Sequence, residues 1–176
     1  MDSSLLNEAR KLFADLTELS SVRIPRCLRV PDELSVMSVH VFADASADAY
    51  ASVVYTKCEY VLGHISCHFV CAKTKLAPLT STSIRRLELM AAVLAVQMSV
   101  SVVKVLEIPV TKVHFWTDSM NVLFWIRNQS RIFKPFVANR IGEIHRLTDQ
   151  TSGAMFPRNV ILPILHCEAH RFRYLC

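Results

Sequence analysis

The stretch VMSVHVFADASADAYASVVYTKCEYVLGHISCHFVCAKT, residues 36–74, decides the fold. Residues 36–43 are a short apolar run rich in β-branched side chains, the composition of a strand. Residues 49–57 read the same way. Residues 60–74 give a third, longer run, and Gly63 inside it suggests a bulge. The connections are too short for a crossover, so the three strands should form an antiparallel meander.

Beyond the meander the chain alternates between helix and strand. Residues 76–83 read as a loop, and Ser83 precedes a long helix over 84–106 that is rich in Leu, Ala, Met and Val. Pro109 cannot continue that helix. Residues 112–116 are a fourth strand, and Asp118 or Ser119 caps a helix running to about residue 127. Phe136, Val137, Arg140, Ile141, Ile144 and Leu147 recur at helical spacing and predict a helix over 134–147. Three strands, a helix and another strand make an α/β plan. Its crossover should lay the fourth strand parallel to the first and beside it. Ahead of the domain, Leu5, Leu12, Phe13 and Leu16 mark an amphipathic helix over 4–20, and Pro25 and Pro31 punctuate a connector. The chain thus divides into a connector over 1–34, the domain over 35–149 and a divergent tail over 150–176.

Composition narrows the function. Apolar residues make up 52% of the 176, which is incompatible with a mainly disordered chain. Three glycines leave no phosphate-cradling glycine loop. No basic-then-apolar leader opens the sequence, so an intracellular setting, cytoplasmic or nuclear, is expected, with reduced cysteines. The most apolar stretch, residues 87–106, contains Glu88, Gln97 and Lys104, so it reads as a core helix and no membrane partner is expected. Residues 1–80 carry 8 basic and 9 acidic groups, and residues 81–176 carry 12 and 6. The excess of the second half suits a polyanionic partner.

Three acids stand out by position. Asp44 ends the first strand, Asp118 follows the fourth, and Glu88 lies one turn into the long helix. Adjacent parallel strands bring Asp44 and Asp118 to the sheet edge where α/β proteins keep their sites, and the crossover helix can deliver Glu88 there. An all-oxygen set suits Mg²⁺ or Mn²⁺. Two such ions would activate water and stabilise a leaving oxygen in phosphodiester hydrolysis. The same acids have structural readings: Asp118 or Ser119 as a helix cap, Asp44 in an Asx-turn, Glu88 paired with Arg85 or Lys73.

Four segments then resemble successive motifs of one family. They are HVFADASADAYASVVY (40–55), CAKTKLAPLTSTSIRRLELMAAVLA (71–95), VHFWTDSMNVLFWI (113–126) and RIFKPFVANRIGEIH (131–145). The family is the ribonuclease H-like domain of the Pol polyprotein of BEL/Pao-type retrotransposons. LTELSSVRIPRCL (16–28) is similar to the segment joining reverse transcriptase to that domain. The resemblance covers about residues 12–149. It implies a ribonuclease H fold, a mixed sheet flanked by helices, and Mg²⁺- or Mn²⁺-dependent cleavage of the RNA strand of RNA–DNA hybrids. It also implies that Asp44, Glu88 and Asp118 are the catalytic and metal-holding acids, with Asp44 touching both metals. The reverse transcriptase region of the same polyprotein becomes an implied partner.

Two departures accompany the resemblance. Arg86 stands where the family usually has proline. The family's fourth acid, in a motif like Asn-Pro-Ala-Asp, has no counterpart: beyond Thr148 the acids are Asp149, which comes too early, and Glu168. The tail reads as an aberrant or truncated ending. Pro163 confines the apolar run at 159–165 to a sheet edge, so a fifth strand and a final helix are not expected to form well. Loss of the water-side metal ligand implies impaired hydrolysis. The alternative is a catalytically dead remnant that binds nucleic acid, or that docks a protein through its long apolar helix. Arg127, Arg131, Lys134 and Arg140 are candidate phosphate contacts, against the simpler reading of a solvated basic face. His64, Cys67, His68 and Cys71 invite a zinc reading. Strand alternation, which should put 64 and 68 on one face and 67 and 71 on the other, opposes it.

Overall fold

The structure is a computed structural model and describes residues 3–23, 33–109, 112–150 and 161–163. Its elements in chain order are α1 (Ser3–Thr17), β1 (Leu34–Ala45), β2 (Ala49–Tyr60), β3 (Ile65–Leu76), α2 (Ile84–Leu106), β4 (Val113–Thr117), α3 (Met120–Arg127), α4 (Pro135–Gln150) and β5 (Ile161–Pro163). The sheet order is β3-β2-β1-β4-β5. β1, β2 and β3 form the antiparallel meander, while β4 runs parallel to β1 and β5 parallel to β4. The expected placement of the fourth strand beside the first is what the sheet shows. The fifth strand is as poorly formed, and as confined to the edge, as Pro163 led one to expect. It is three residues long, ends on Pro163 and occupies the edge, the position where a missing backbone donor costs least.

Burial alternates strictly along β2, whereas β1 is buried on both faces from Ser38 to Val41. Val39, Val41, Ala43, Val54, Val113 and Phe115 face α2, and all are buried. α2 is apolar almost all round because sheet and α4 enclose it, with Leu87, Leu89, Ala91 and Val96 among its buried residues. Among the described helices it alone is long and apolar enough to cross a membrane, and 61% of its most apolar window is buried in the domain. Its buried apolar residues build the core of the domain. Glu107 ends α2 in the left-handed conformation (φ 53°), its N–H returning to Val103 O, and Pro109 follows.

Two local expectations change. Gly63 does not mark a bulge. It has φ +84° in the turn between β2 and β3, so β3 starts at Ile65. The bulge lies at Val70, where the β2–β3 register shifts between Val54 and Tyr55. That extra residue reverses the alternation beyond it. Cys67 is opposite Lys57 and Cys71 opposite Val54, so the two thiols fall on different faces. His64 stacks on Tyr60 at 4.2 Å and His68 Nε2 meets Ser66 Oγ at 2.9 Å. Among the described residues no three His, Cys, Asp or Glu side chains gather to hold an ion, which sets the zinc reading aside for this strand. His166, Cys167 and His170 lie outside the described residues, as do Glu168 and the side chain of Asp149.

Candidate active site at the acidic sheet edge

The site is built by strand register. Phe42 pairs with Trp116 across β1 and β4. Asp44 and Asp118 each come two residues later, on parallel chains about 4.8 Å apart. Both carboxylates are exposed. The turn after Asp44 is held by Ser46: its Oγ accepts from Asp48 N and Ala49 N at 3.2 Å, and its N–H bonds Ala49 O at 2.8 Å. Ser46 therefore does the turn-forming work that an Asx-turn would have assigned to Asp44. Asp44 Oδ1 instead accepts the Ala45 N–H at 2.7 Å.

Glu88 reaches the same edge from α2. Ser119 Oγ donates to Glu88 Oε2 at 2.6 Å. The same oxygen accepts from Val122 N at 3.3 Å and so caps α3. Ser119 is 5% exposed, and its N–H bonds Thr117 Oγ1 at 3.2 Å. One buried hydroxyl thus ties the crossover helix, the end of β4 and the start of α3 together, beside Asp118. The cap is legible in the sequence and the tie to Glu88 is not, because nothing in local spacing reveals a partner 31 residues away. Ser119→Ala should destabilise the domain by about 2 kcal/mol, through a lost cap and a lost charge-assisted bond. Urea midpoints of the two proteins measure it. Ser119→Thr, which keeps the hydroxyl, should recover most of the loss.

Behind the acids, a polar chain locks β4 to β1. Trp116 Nε1 donates to His40 Nδ1 at 3.1 Å. An indole can only donate, so His40 Nδ1 carries the lone pair and Nε2 the proton. Nε2 then donates to Ser38 Oγ at 3.1 Å, and Ser38 Oγ donates to Lys57 O at 3.5 Å. His40 also stacks between His114 (4.9 Å) and Trp116 (5.9 Å). Burial first, then the charges of His114 and Lys57, push the His40 pKa down to about 3. Burial, with Lys112 and Lys57, lowers that of His114 as well.

In donor chemistry the three acids suit a hard cation: carboxylate oxygens only, with room for water. As the side chains stand they do not form a three-ligand group. Like charges repel, and Asp44 and Glu88 have each taken a neutral donor, Ala45 N–H and Ser119 Oγ respectively.

The four basic candidates divide. Arg127 ends α3, Arg131 lies in a 3₁₀ turn, and exposed Lys134 precedes α4. Arg140 lies over the Phe136 ring at 5.3 Å, and Arg86 of α2 lies over the same ring at 4.9 Å. Arg86, two residues before Glu88, is the basic group that sequence reading did not select. Its place in the first turn of α2 was the available signal. Trp125 packs against the core.

A parallel β1–β4 pair in a 3-2-1-4-5 mixed sheet, with acids from β1, α2 and the end of β4 at one edge, defines a ribonuclease H-like domain. The family model described as "Pao retrotransposon-like RNaseH-like domain" matches residues 1–119, a span that includes Asp44, Glu88 and Asp118. The chain belongs to that family. No curated protein matches it. Similar solved structures include RNase H1 from the halophilic archaeon Halobacterium salinarum NRC-1, at 11% identity and TM-score 0.44, covering 78% of this chain and 93% of that one. LC11-RNase H1 in complex with an RNA/DNA hybrid is 11% identical with TM-score 0.46, covering 80% and 93%. The N-terminal RNase H domain of a Mycobacterium tuberculosis protein, fused with maltose binding protein, is 10% identical with TM-score 0.47, covering 80% and 91%.

Proposed function

We propose that this chain is a retroelement nuclease domain that hydrolyses the RNA strand of RNA–DNA hybrids. The supporting observation is the shared register of Asp44 and Asp118 past the Phe42–Trp116 pair, with Glu88 held beside them by Ser119. Asp44, Glu88 and Asp118 would hold Mg²⁺ or Mn²⁺, which when bound supplies positive charge for the phosphate and an acidified water. The protein's own part is positional. The Ser46 turn fixes the backbone after Asp44. The Ser119 hydroxyl fixes one Glu88 oxygen and leaves the other for a ligand. The Trp116–His40 bond holds the strands that carry the two aspartates in register.

With no Asn-Pro-Ala-Asp motif in the sequence, cleavage is expected to be slow. A labelled RNA–DNA hybrid incubated with the chain and either Mg²⁺ or Mn²⁺ tests the reading. Cleavage of the RNA strand alone, dependent on the ion, is the expected result. Hybrid binding without cleavage at either ion would make the chain the inactive remnant. The reverse transcriptase region of the same polyprotein is the proposed neighbour of residues 1–34, in a cytoplasmic or nuclear setting.

A further inference from the structure

Two cavities lie along α2 on its β3 side. One, about 220 Å³, is lined by Tyr50, Lys75, Leu94, Gln97, Arg140 and Glu143, among others. The next, about 200 Å³, is lined by Cys71, Lys73, Leu94, Gln97 and Ser101, among others. Leu94 and Gln97 line both, so the two make one continuous trough. Its upper end is fixed by pairing. Tyr50 is opposite Lys75 on one side and Ala45 on the other, and Ala45 follows Asp44. The trough therefore starts at the acidic edge and runs away from it.

Its charge is one-sided. Lys73 and Lys75 are two residues apart on β3, so both face the trough, about 6.8 Å apart. Arg140 enters from α4 and shares the Phe136 ring with Arg86. None of these four cations has a carboxylate partner among the described residues, where Lys57–Glu59 is the ion pair formed. The acid in the lining, Glu143, accepts the Gln97 amide at 2.7 Å. Two guanidiniums on one ring repel each other, and an anion between or beside them relieves that cost.

We propose that this trough is the path of a single nucleic-acid strand leaving the acidic edge, its phosphates met first by Lys75 and Arg140 and then by Lys73. The inference rests on reading the acidic edge as the hybrid-cleaving end. A recess between a strand and a helix admits one strand and not the convex outline of a duplex. Its lining sets the three cations and Gln97 over an apolar floor that includes Met90, Val93, Leu94 and Met98, with phosphate contacts but no row of aromatic stacking surfaces, so binding there is independent of sequence and sensitive to salt.

The test uses the full chain without divalent ions and follows binding by fluorescence anisotropy. Its probes are a blunt RNA–DNA hybrid, the same hybrid with a ten-nucleotide single-stranded extension, and the extension alone. The variants are Lys73→Gln/Lys75→Gln and, as a control on the other sheet face, Lys57→Gln. The wild type should bind the extended hybrid about tenfold tighter than the blunt one. The double variant should lose that preference, keep blunt-hybrid affinity within twofold, and show a salt slope shallower by about 1.4, two single-strand contacts. Equal affinity of the wild type for blunt and extended hybrids would overturn the path and leave the nuclease reading standing. Lysine-dependent binding of the extension with no binding of blunt hybrid would keep the path and overturn that reading. A wild type that binds none of the probes overturns both. An equal loss in the Lys57→Gln control assigns the effect to general charge and overturns the path.

Discussion

Asp44→Asn is expected to reduce hybrid cleavage by at least about 100-fold, equivalent to about 2.7 kcal/mol of barrier. The substitution keeps size and shape. It also keeps a carbonyl oxygen able to accept the Ala45 N–H now bound at 2.7 Å, so the turn after β1 should survive. What it removes is one negative charge from an edge whose proposed work is to hold a cation. Calorimetric titration with Mn²⁺ separates that effect from misfolding: affinity should fall in the variant while the urea midpoint stays within about 0.5 kcal/mol of wild type. Equal Mn²⁺ affinity in the two proteins would remove Asp44 from the ligand set. Asp118→Asn, at the matching register position, should behave alike. The Ser119 tie gives Glu88 a structural share as well, so Glu88→Gln should combine lost ion affinity with a smaller loss of stability.

Acid should unfold the domain through His40. The folded state holds this ring neutral, with a pKa near 3, whereas an unfolded histidine titrates near 6.5. The unfolded chain therefore takes up the proton first, so stability is full above about pH 6.5 and falls as pH drops toward 3. One unit of pKa difference is about 1.4 kcal/mol, so at pH 5 the loss from His40 alone is about 2 kcal/mol. His114 shifts in the same direction and adds to it. There is also a structural reason for cooperativity. A proton on Nδ1 removes the acceptor for Trp116 Nε1, which is buried at 9% exposure. Urea titrations at pH 7.5 and pH 5, read by tryptophan fluorescence, measure the effect. Replacing the ring in His40→Gln should lower stability at pH 7.5 and flatten the dependence between pH 7 and 4. An unchanged dependence would show that other groups carry the acid sensitivity.

The fold was legible where burial follows a simple period. Residues 49–57 alternate because one face packs on α2, residues 36–43 read as an unbroken apolar run because Ser38 to Val41 are buried on both faces, and residues 84–106 are mostly apolar because the sheet and α4 enclose most of the helix. The strand that begins at Ile65 was misplaced because Val61 and Leu62 extend an apolar run through what is a turn, where they stand exposed. No local rule distinguishes such a run from a strand end until the positive φ of Gly63 is known. The bulge at Val70 was hidden for a related reason: one extra residue leaves composition unchanged while it moves Cys71 to the other face. At the site, Asp44, Glu88 and Asp118 could be read as strand-end and helix-start acids. The Ser119 bond and the Arg86–Phe136–Arg140 group could not, because each joins elements far apart in the chain. α1 shows the limit of periodicity from the other side. Its amphipathic pattern predicts a helix correctly, yet Leu12 and Phe13 remain 59% and 67% exposed.

The parallel pairing of β1 with β4 also dictates the order in which the molecule can assemble. β1, β2 and β3 pair through turns of a few residues and can zip as soon as they meet, whereas β1 must wait for a strand whose Trp116 lies 76 residues beyond His40. On a ribosome the meander would emerge and pair while the chain bearing Asp118 is still being made. The aspartate of β1 is thus in place early, and its counterpart arrives later, with the closing of the long β1–β4 loop. Nuclease chemistry, on this reading, becomes available only to a chain that has completed its crossover. A stalled or prematurely ended polypeptide would be a folded hairpin sheet with half an active site.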